Sequence, residues 1–232
     1  MNISHTYLGD FLSLIFPQLC NSCKRNLMRQ EKLICTECIY NLPYTDFDKN
    51  PQNAAAQQFW GKVDVEAVYA LLYFNKGTNV QRLLHNLKYR NIPQIGNLLG
   101  SMAGSRLQSS EKFNTVDLII PVPLHPSRFR RRGYNQSTRF AAGLAEKLNA
   151  SVSEKYLLRA KATATQTKKS RFSRFENMQS AFTVKNPDAL IGKHILLVDD
   201  IMTTGSTLEA CAQTLLSIAG VKLSIAAIAY AE

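Results

Sequence analysis

A run of small hydroxyl residues follows two carboxylates near the carboxyl end of the chain. Residues 195–207 read I-L-L-V-D-D-I-M-T-T-G-S-T. Residues 195–198 are typical of a buried strand, and the apolar spacing of residues 208–219 predicts an amphipathic helix. A loop between them can turn N–H groups and hydroxyls toward a phosphate at the helix N-terminus, where the helix dipole favours an anion. We therefore predict a phosphate site here.

The two carboxylates, Asp199 and Asp200, follow the predicted strand at its carboxyl end, where ligands of open α/β sheets bind. Carboxylates accept hydrogen bonds, so the pair suits a diol such as a ribose. It would repel a bare polyphosphate unless a divalent cation lay between them. The alternative is an ordinary strand, turn and helix in which Ser206 or Thr207 only caps the helix. The acidic pair, the spacing and the hydroxyl-rich loop together favour the ligand site.

Four cysteines near the amino terminus form two C-x-x-C pairs. Cys20 and Cys23 are separated from Cys35 and Cys38 by 11 residues, a spacing that suits one tetrahedral zinc ion. Structural disulfides compete with this interpretation, but C-x-x-C is a cramped spacing for them and nothing marks the chain as secreted. A thioredoxin-like redox pair explains two neighbouring pairs less well. Because four cysteine ligands leave no open position, we expect a structural zinc that stabilises a small module.

Apolar segments along the chain predict an α/β fold with a largely parallel sheet flanked by helices. Strands are predicted at 65–74, 116–122, 195–198 and 223–230, and helices at 80–89, 93–107, 137–148 and 208–219. Residues 1–19 are expected to include a short helix packed on the body. A segment rich in Asn, Gln and Ala indicates a linker. We expect a zinc-binding module at 1–48, a linker at 49–61 and the main domain at 62–232.

The location expected for the protein is the cytoplasm. No run of about 18 apolar residues occurs, so a transmembrane helix is not expected. The amino-terminal residues lack the basic region and the small-residue cleavage site of a signal peptide.

The stretch V-D-D-I-M-T-T-G-S-T resembles the phosphoribosyl pyrophosphate (PRPP) binding motif of type I phosphoribosyltransferases. The resemblance implies that Asp199 and Asp200 hold the ribose hydroxyls and that magnesium accompanies PRPP. It also implies a cradle for the 5-phosphate, formed by Thr203, Thr204, Gly205, Ser206 and Thr207.

Positive charge is concentrated in the middle of the chain. The formal net charge is +11, which favours an acidic partner such as nucleic acid or a phosphorylated metabolite. An arginine run is expected in a loop on the same rim as Asp199, so we interpret it as a ligand contact rather than a solvated face. A second basic segment, within residues 158–182, is expected to form a long loop. Candidate contacts to pyrophosphate or DNA are Arg128, Arg130, Arg131, Arg132, Lys168, Lys169, Arg171 and Arg174.

Over nearly its whole length the sequence resembles the ComF family of competence-associated proteins, which pair an amino-terminal four-cysteine zinc module with a type I phosphoribosyltransferase domain. The motifs that carry the resemblance are F-P-Q-L-C-N-S-C, I-C-T-E-C, L-K-Y-R, P-V-P-L-H-P-S-R and R-R-G-Y-N-Q, then Gln166, Arg174, Asn177 and Ala181-Phe182. Lys169 stands where an apolar residue is common. The resemblance implies the type I phosphoribosyltransferase fold and a part in natural transformation, in handling incoming single-stranded DNA.

Three functions follow from these observations. We expect a DNA-uptake protein that binds PRPP with magnesium, single-stranded DNA and other uptake proteins. Four aromatic residues, Phe129, Tyr134, Phe172 and Phe175, lie among arginines and suit base stacking, unless they only pack the loops. The second function is a metabolic nucleobase or amido phosphoribosyltransferase that transfers phosphoribose to an unidentified acceptor, although no nucleobase pocket is identifiable. The third is a regulator that senses PRPP without turnover.

Overall fold

A five-stranded parallel sheet organises the computed structural model, which describes residues 17–160 and 181–231. The strands follow the order β1-β7-β6-β2-β3, and they are β1 (Ala67–Phe74), β2 (Leu118–Pro121), β3 (Ser151–Val152), β6 (His194–Met202) and β7 (Lys222–Ala231). Two further strands, β4 (Leu157–Arg159) and β5 (Phe182–Val184), pair with each other in antiparallel orientation. Most of the predicted amino-terminal helix and of the second basic segment lies outside the described residues.

Along the chain, most helices of the described residues connect one strand of the parallel sheet to the next. They are α1 (Thr36–Tyr40), α2 (Ala54–Gln57), α3 (Asn79–Tyr89), α4 (Gln94–Leu107), α5 (Pro126–Arg132), α6 (Gln136–Leu148) and α7 (Ser206–Leu216), with a 3-10 turn at Pro187–Leu190. None of these helices is long and apolar enough to cross a membrane.

The central strands β6 and β7 are apolar on both faces because helices cover the sheet. Leu196 and Leu197 of β6 and Ile225 and Ile228 of β7 have no exposed surface, as expected for a parallel sheet packed on both sides. The predicted strand was too short at its carboxyl end. Pairing with β7 continues to Met202, because the long β7 offers ladder partners beyond the apolar run.

Helices α4 and α6 pack with their backbones nearly in contact, and glycines make this possible. A Cβ atom at Gly143 would lie 2.1 Å from the carbonyl oxygen of Asn97, and one at Gly100 would lie 2.2 Å from that of Phe140. This close crossing holds the first turn of α6 beside β2 and β6.

The segment predicted to be a linker packs against β1. Asn53 caps α2 by accepting a hydrogen bond from the Ala56 N–H at 2.9 Å, and its amide donates to the carbonyl of Val68 at 2.9 Å. Ala55 and Phe59 are buried. Residues 53–59 therefore form part of the folded body, while the proposed division at 1–48, 49–61 and 62–232 stays a prediction.

Candidate functional site

The acidic pair lies within the last four residues of β6, and its two members contact different helices. Successive side chains of a strand point to opposite faces. Accordingly, an Asp199 carboxylate oxygen accepts hydrogen bonds from Ser137 Oγ in α6 at 2.9 Å and from the Asp200 N–H at 2.8 Å. Asp200 Oδ1 lies 2.9 Å from Lys88 Nζ, at the end of α3. Sequence reasoning missed Ser137, and it identified no partner for Lys88, which belongs to the L-K-Y-R motif.

The environment of Asp199 disfavours its ionised form. Burial raises the pKa of this carboxyl well above its ordinary value, and the neighbouring carboxylate of Asp200 raises it further. The hydrogen bonds from the Asp200 N–H and Ser137 act in the opposite direction, as does the charge of Lys88. A buried carboxyl whose preferred charge state depends on its neighbours is a frequent feature of functional sites.

The loop between β6 and α7 presents hydroxyls at the start of a helix. Gly205 adopts a φ of +71° and occupies the N-cap position of α7, and among the described residues no side chain caps the helix. Neither Ser206 nor Thr207 therefore occupies the N-cap position that the alternative gives to one of them, while the phosphate site itself stays a prediction. Thr203, Thr204 and Thr207 are exposed. The Thr204 and Ser206 hydroxyl oxygens lie 2.9 Å apart, so the loop offers hydroxyl and N–H donors together.

The rear of this loop is supported by the segment that follows α2. Gln58 Nε2 donates to the Thr203 carbonyl at 2.8 Å, and the same nitrogen lies 3.5 Å from the hydroxyl oxygen of Tyr230. A Cβ atom at Gly205 would lie 3.1 Å from Gln58 Oε1 and 3.3 Å from Phe59 Cζ. The sequence carried no signal for this support, because Gln58 and Thr203 are 145 positions apart.

The arginine run belongs to the short helix α5, so the prediction of a loop was wrong. The His125 ring accepts a hydrogen bond from the Ser127 N–H, Pro126 occupies the first turn, and Gly133 ends the helix with a φ of +77°. These are ordinary signals for helix start and stop. Arg128, Arg130 and Arg131 are exposed and Arg132 is half-buried.

Two of these arginines lie against an aromatic ring that sequence reasoning did not select. The guanidinium carbons of Arg131 and Arg132 lie 5.5 and 5.3 Å from the ring centre of Tyr89. Tyr89 is 52% exposed, and a side-chain hydrogen bond with Arg132 lowers the pKa of its hydroxyl. The end of α3 therefore carries Lys88 toward Asp200 and Tyr89 toward the arginines.

Tyr134, one of the predicted stacking residues, is buried and structural. Its hydroxyl donates to the carbonyl of Leu87, and the next residue, Asn135, donates from its amide to Val122 O at 2.9 Å. These contacts join the R-R-G-Y-N-Q motif to α3 and β2. Phe129 is 48% exposed. The other predicted contacts, Lys168, Lys169, Arg171, Arg174, Phe172 and Phe175, lie outside the described residues.

The four predicted metal ligands come together in one cluster. The sulfur atoms of Cys20, Cys23, Cys35 and Cys38 all lie within 4.8 Å of one another, and Cys23 Sγ and Cys35 Sγ are 3.8 Å apart. Tetrahedral zinc with Zn–S bonds of about 2.3 Å holds its sulfurs roughly 3.8 Å apart. The Cys35 N–H donates to Cys20 Sγ at 3.2 Å. The cluster can therefore hold a metal ion, and its donor set and spacing are consistent with zinc.

The protein environment shifts the pKa values of Cys23, Cys35 and Cys38 in different directions. Hydrogen bonds from Arg25 lower the pKa of Cys23 to about 6, whereas burial raises the pKa of Cys38 to about 12. Burial also raises the pKa of Cys35. Buried thiolates this close together repel each other, so the full set of four thiolates requires a cation such as a bound metal ion.

The chain matches the phosphoribosyl transferase domain family over residues 134–232. It is 31% identical over 203 residues to the DNA utilization protein YhgH of Escherichia coli O157:H7, covering 85% of this chain and 84% of that protein. It is 27% identical to competence protein F of Haemophilus influenzae, over 85% and 83% of the two chains. Competence protein ComFC of Streptococcus pneumoniae is 25% identical over 88% and 83%. The chain belongs to the ComF family.

For this ComF-family protein the predicted fold class is confirmed. The phosphoribosyl transferase domain match, the parallel sheet with flanking helices and the four-cysteine cluster all agree with the prediction. The domain match begins at Tyr134, so it includes the acidic pair and the hydroxyl loop. Lys88 and Gln58, which contact those features, lie outside it.

Proposed function

We propose that this ComF-family protein binds PRPP with magnesium and acts in the cytoplasm in DNA uptake, where it binds single-stranded DNA and other uptake proteins. The observation that carries the proposal is the acidic pair at the end of β6 followed directly by a hydroxyl loop at the start of α7. In this proposal Asp199 and Asp200 accept hydrogen bonds from the ribose hydroxyls.

The 5-phosphate of PRPP is assigned to the loop at the start of α7. Exposed hydroxyls, N–H groups and the positive end of the helix dipole favour a dianion there. The cradle comprises Thr203, Thr204, Gly205, Ser206 and Thr207. Magnesium would bind phosphate oxygens together with a carboxylate, and it would offset the repulsion between the acidic pair and the pyrophosphate.

The four arginines of α5 are proposed to contact the pyrophosphate of PRPP or the phosphates of DNA. Arg128, Arg130, Arg131 and Arg132 follow β2, the neighbour of β6 in the sheet. Adjacent parallel strands end on the same rim, so this positive charge lies on the rim that carries the acidic pair. Lys168, Lys169, Arg171 and Arg174 remain candidates for the same role.

The names of the relatives support a DNA role, because they describe a DNA utilization protein and competence proteins. We assign single-stranded DNA to an aromatic–arginine surface that comprises Tyr89, Phe129, Arg128, Arg130, Arg131 and Arg132. Its two half-exposed rings can stack on bases while the guanidinium groups follow the phosphates. Such a surface binds without strong sequence preference.

The metal of the four-cysteine cluster is proposed to be zinc with a structural role. Cys20, Cys23, Cys35 and Cys38 would occupy all four coordination positions and leave none for a substrate. Zinc would supply the charge that permits four neighbouring thiolates, and it would order residues that bury few large side chains.

A titration of labelled single-stranded oligonucleotide, with and without magnesium and PRPP over a range of salt concentrations, tests this function. We expect binding whose logarithm falls linearly with the logarithm of the salt concentration, with a slope of about −0.7 per phosphate contacted. Tyr89→Ala combined with Phe129→Ala should weaken binding by roughly tenfold or more. The control is Tyr40→Ala, which removes an exposed ring from α1. Absence of binding at low salt, or equal losses in variant and control, would overturn the assignment.

One cavity favours a second function, the transfer of phosphoribose to a small acceptor. A cavity of about 330 Å³ lies between the loop after β2 and strand β4 and is lined by Pro123, Leu124, Phe129, Leu157 and Leu158, among others. Apolar walls with a few polar groups suit a planar ring. Purified protein with magnesium and PRPP would release pyrophosphate on addition of the correct nucleobase or amine. No release with any acceptor tested would count against the transferase function and leave PRPP binding to be judged by direct titration.

A further inference from the structure

Helix α3 is contacted by the residues that lie between the first pair of cysteines. Asn21 and Ser22 lie between Cys20 and Cys23, and we call these four residues the first knuckle. The Asn86 amide donates to the Asn21 carbonyl at 3.2 Å and lies 3.2 Å from the Asn21 side-chain oxygen.

A second contact joins the same two elements. The guanidinium of Arg82, one turn earlier on α3, donates to the carbonyl of Ser22. Both contacts use carbonyl oxygens of the first knuckle, so they depend on the path of the backbone between the two cysteines. A bound metal ion would fix that path.

The last turn of the same helix reaches the acidic pair. Lys88, two residues after Asn86, places its Nζ 2.9 Å from Asp200 Oδ1, and the two side chains are only 18% and 12% exposed. An α-helix rises about 1.5 Å per residue, so a contact at residue 86 also fixes residue 88. The buried residues Leu83 and Leu87 hold another face of α3 against the body.

The charge of Lys88 matters because the acidic pair is proposed to bind a polyanion. A cation at hydrogen-bond distance from Asp200 offsets the repulsion between that carboxylate and the phosphates of PRPP. This effect is strong where side chains are largely withdrawn from water. A small displacement of Lys88 would weaken the offset.

We propose that the first knuckle positions Lys88 against Asp200 through helix α3, and that the amino-terminal cysteine module thereby sets the affinity for PRPP without touching it. The proposal rests on the proposed PRPP binding. It assigns Asn86 and Arg82 the role of positioning residues, and it gives the structural metal an effect on the ligand site.

A double-mutant cycle tests the proposal by titrating PRPP in magnesium buffer against four proteins: the wild type, Asn86→Ala, Lys88→Ala and the double variant. Asn86→Ala removes one of the two contacts to the knuckle without changing charge. Metal content is measured for each preparation, and only zinc-replete protein enters the comparison. Gln81→Ala is the matched control, because it removes a different side-chain hydrogen bond of the same helix, the one from the Gly77 N–H.

We expect Asn86→Ala to weaken PRPP binding by about fivefold or more in the wild-type background. In the Lys88→Ala background the same substitution should change affinity by less than roughly twofold, because the group through which it acts has been removed. Lys88→Arg should keep most of the wild-type affinity, since it keeps the charge, and Gln81→Ala should match the wild type.

Equal losses from Asn86→Ala in both backgrounds would mean that it acts by general destabilisation, and that result would overturn the inference. No loss in either background would overturn it as well. A wild-type protein that does not bind PRPP would overturn the proposed function and the inference together. Binding that is weakened by Asp200→Ala but unaffected by Asn86→Ala would overturn the inference alone.

Discussion

The cysteine module and the parallel sheet are stabilised in different ways. Within residues 17–48 the described structure has one short helix, and three of its buried residues are cysteines of the cluster. The sheet instead buries whole strands, with Ile195 to Val198 fully enclosed. A segment as short as the module buries too little apolar surface for independent stability. A metal ion is proposed to supply the missing stability, whereas the sheet is stabilised by contacts between apolar side chains.

The largest expected effect comes from removing one sulfur ligand. Cys38→Ser should lower metal affinity by more than about 100-fold, since even loss of an outer-shell partner costs up to that factor. The matched control is Cys211→Ala, which removes a buried thiol of α7 that lies outside the cluster. Metal content and hydrogen exchange of residues 17–48 are measured. Full metal content in Cys38→Ser would contradict the assignment of this residue as a ligand.

In the sheet region, a substitution at the crossing of α4 and α6 is expected to reduce stability without any loss of metal. Gly143→Ala would place a Cβ 2.1 Å from the Asn97 carbonyl oxygen and 2.6 Å from the Ser101 N, so the helices must separate. We expect a loss of about 3 kcal/mol in the free energy of unfolding, with metal content unchanged. Glu146→Ala, an exposed change on the same helix, controls for helix propensity. A wild-type unfolding midpoint for Gly143→Ala would contradict the close crossing.

Sequence patterns predicted the elements whose signals lie close together along the chain. The apolar run before Asp199, the amphipathic helix after the hydroxyl loop and the paired cysteines each carry their signal within a few residues. The extension of β6 to Met202 was missed because it depends on the length of β7. Helix α5 was missed although His125 and Gly133 supply its start and stop signals, because the three closely spaced prolines of P-V-P-L-H-P-S indicated a loop.

The supporting contacts of the candidate site could not be predicted from one sequence. Ser137 is 62 positions from Asp199 along the chain, and Gln58 is 145 positions from Thr203. Lys88 belongs to the L-K-Y-R motif, but its partner Asp200 depends on how α3 packs beside β6. Such pairs require the three-dimensional arrangement of several elements. Residue types alone indicated what the acidic pair could bind, and not what holds it in place.

A smaller effect is expected at Asp199, where replacing the carboxyl by an amide should raise stability at high pH but weaken PRPP binding. Burial and then Asp200 raise its pKa above the ordinary 3.8, so the folded chain binds this proton more tightly than the unfolded chain does. Stability is therefore lost as the pH rises from near 3.8 through the raised pKa. Asp199→Asn should raise the melting temperature at about pH 8, by roughly 2–4 °C for each kcal/mol regained. The same change should weaken PRPP binding.

Two measurements separate this cause from a general effect of charge. The difference in melting temperature between wild type and Asp199→Asn should shrink as the pH falls toward about 4, because the wild-type carboxyl is then protonated as well. Asp188→Asn removes an exposed carboxylate on the 3-10 turn and serves as the control. A gain in melting temperature that is the same at every pH would contradict burial of a charged Asp199 as its cause.

The smallest expected effect tests whether the segment between the two regions supports the candidate ligand site. Gln58→Ala removes the 2.8 Å hydrogen bond to the Thr203 carbonyl, so the hydroxyl loop should become less ordered. One hydrogen bond contributes about 1 kcal/mol, and PRPP affinity should fall roughly fivefold. Gln57→Ala changes the exposed neighbouring residue and should leave affinity unchanged. Equal affinities for the two variants would mean that Gln58 does not support the ligand site; a selective loss for Gln58→Ala would make this residue part of it.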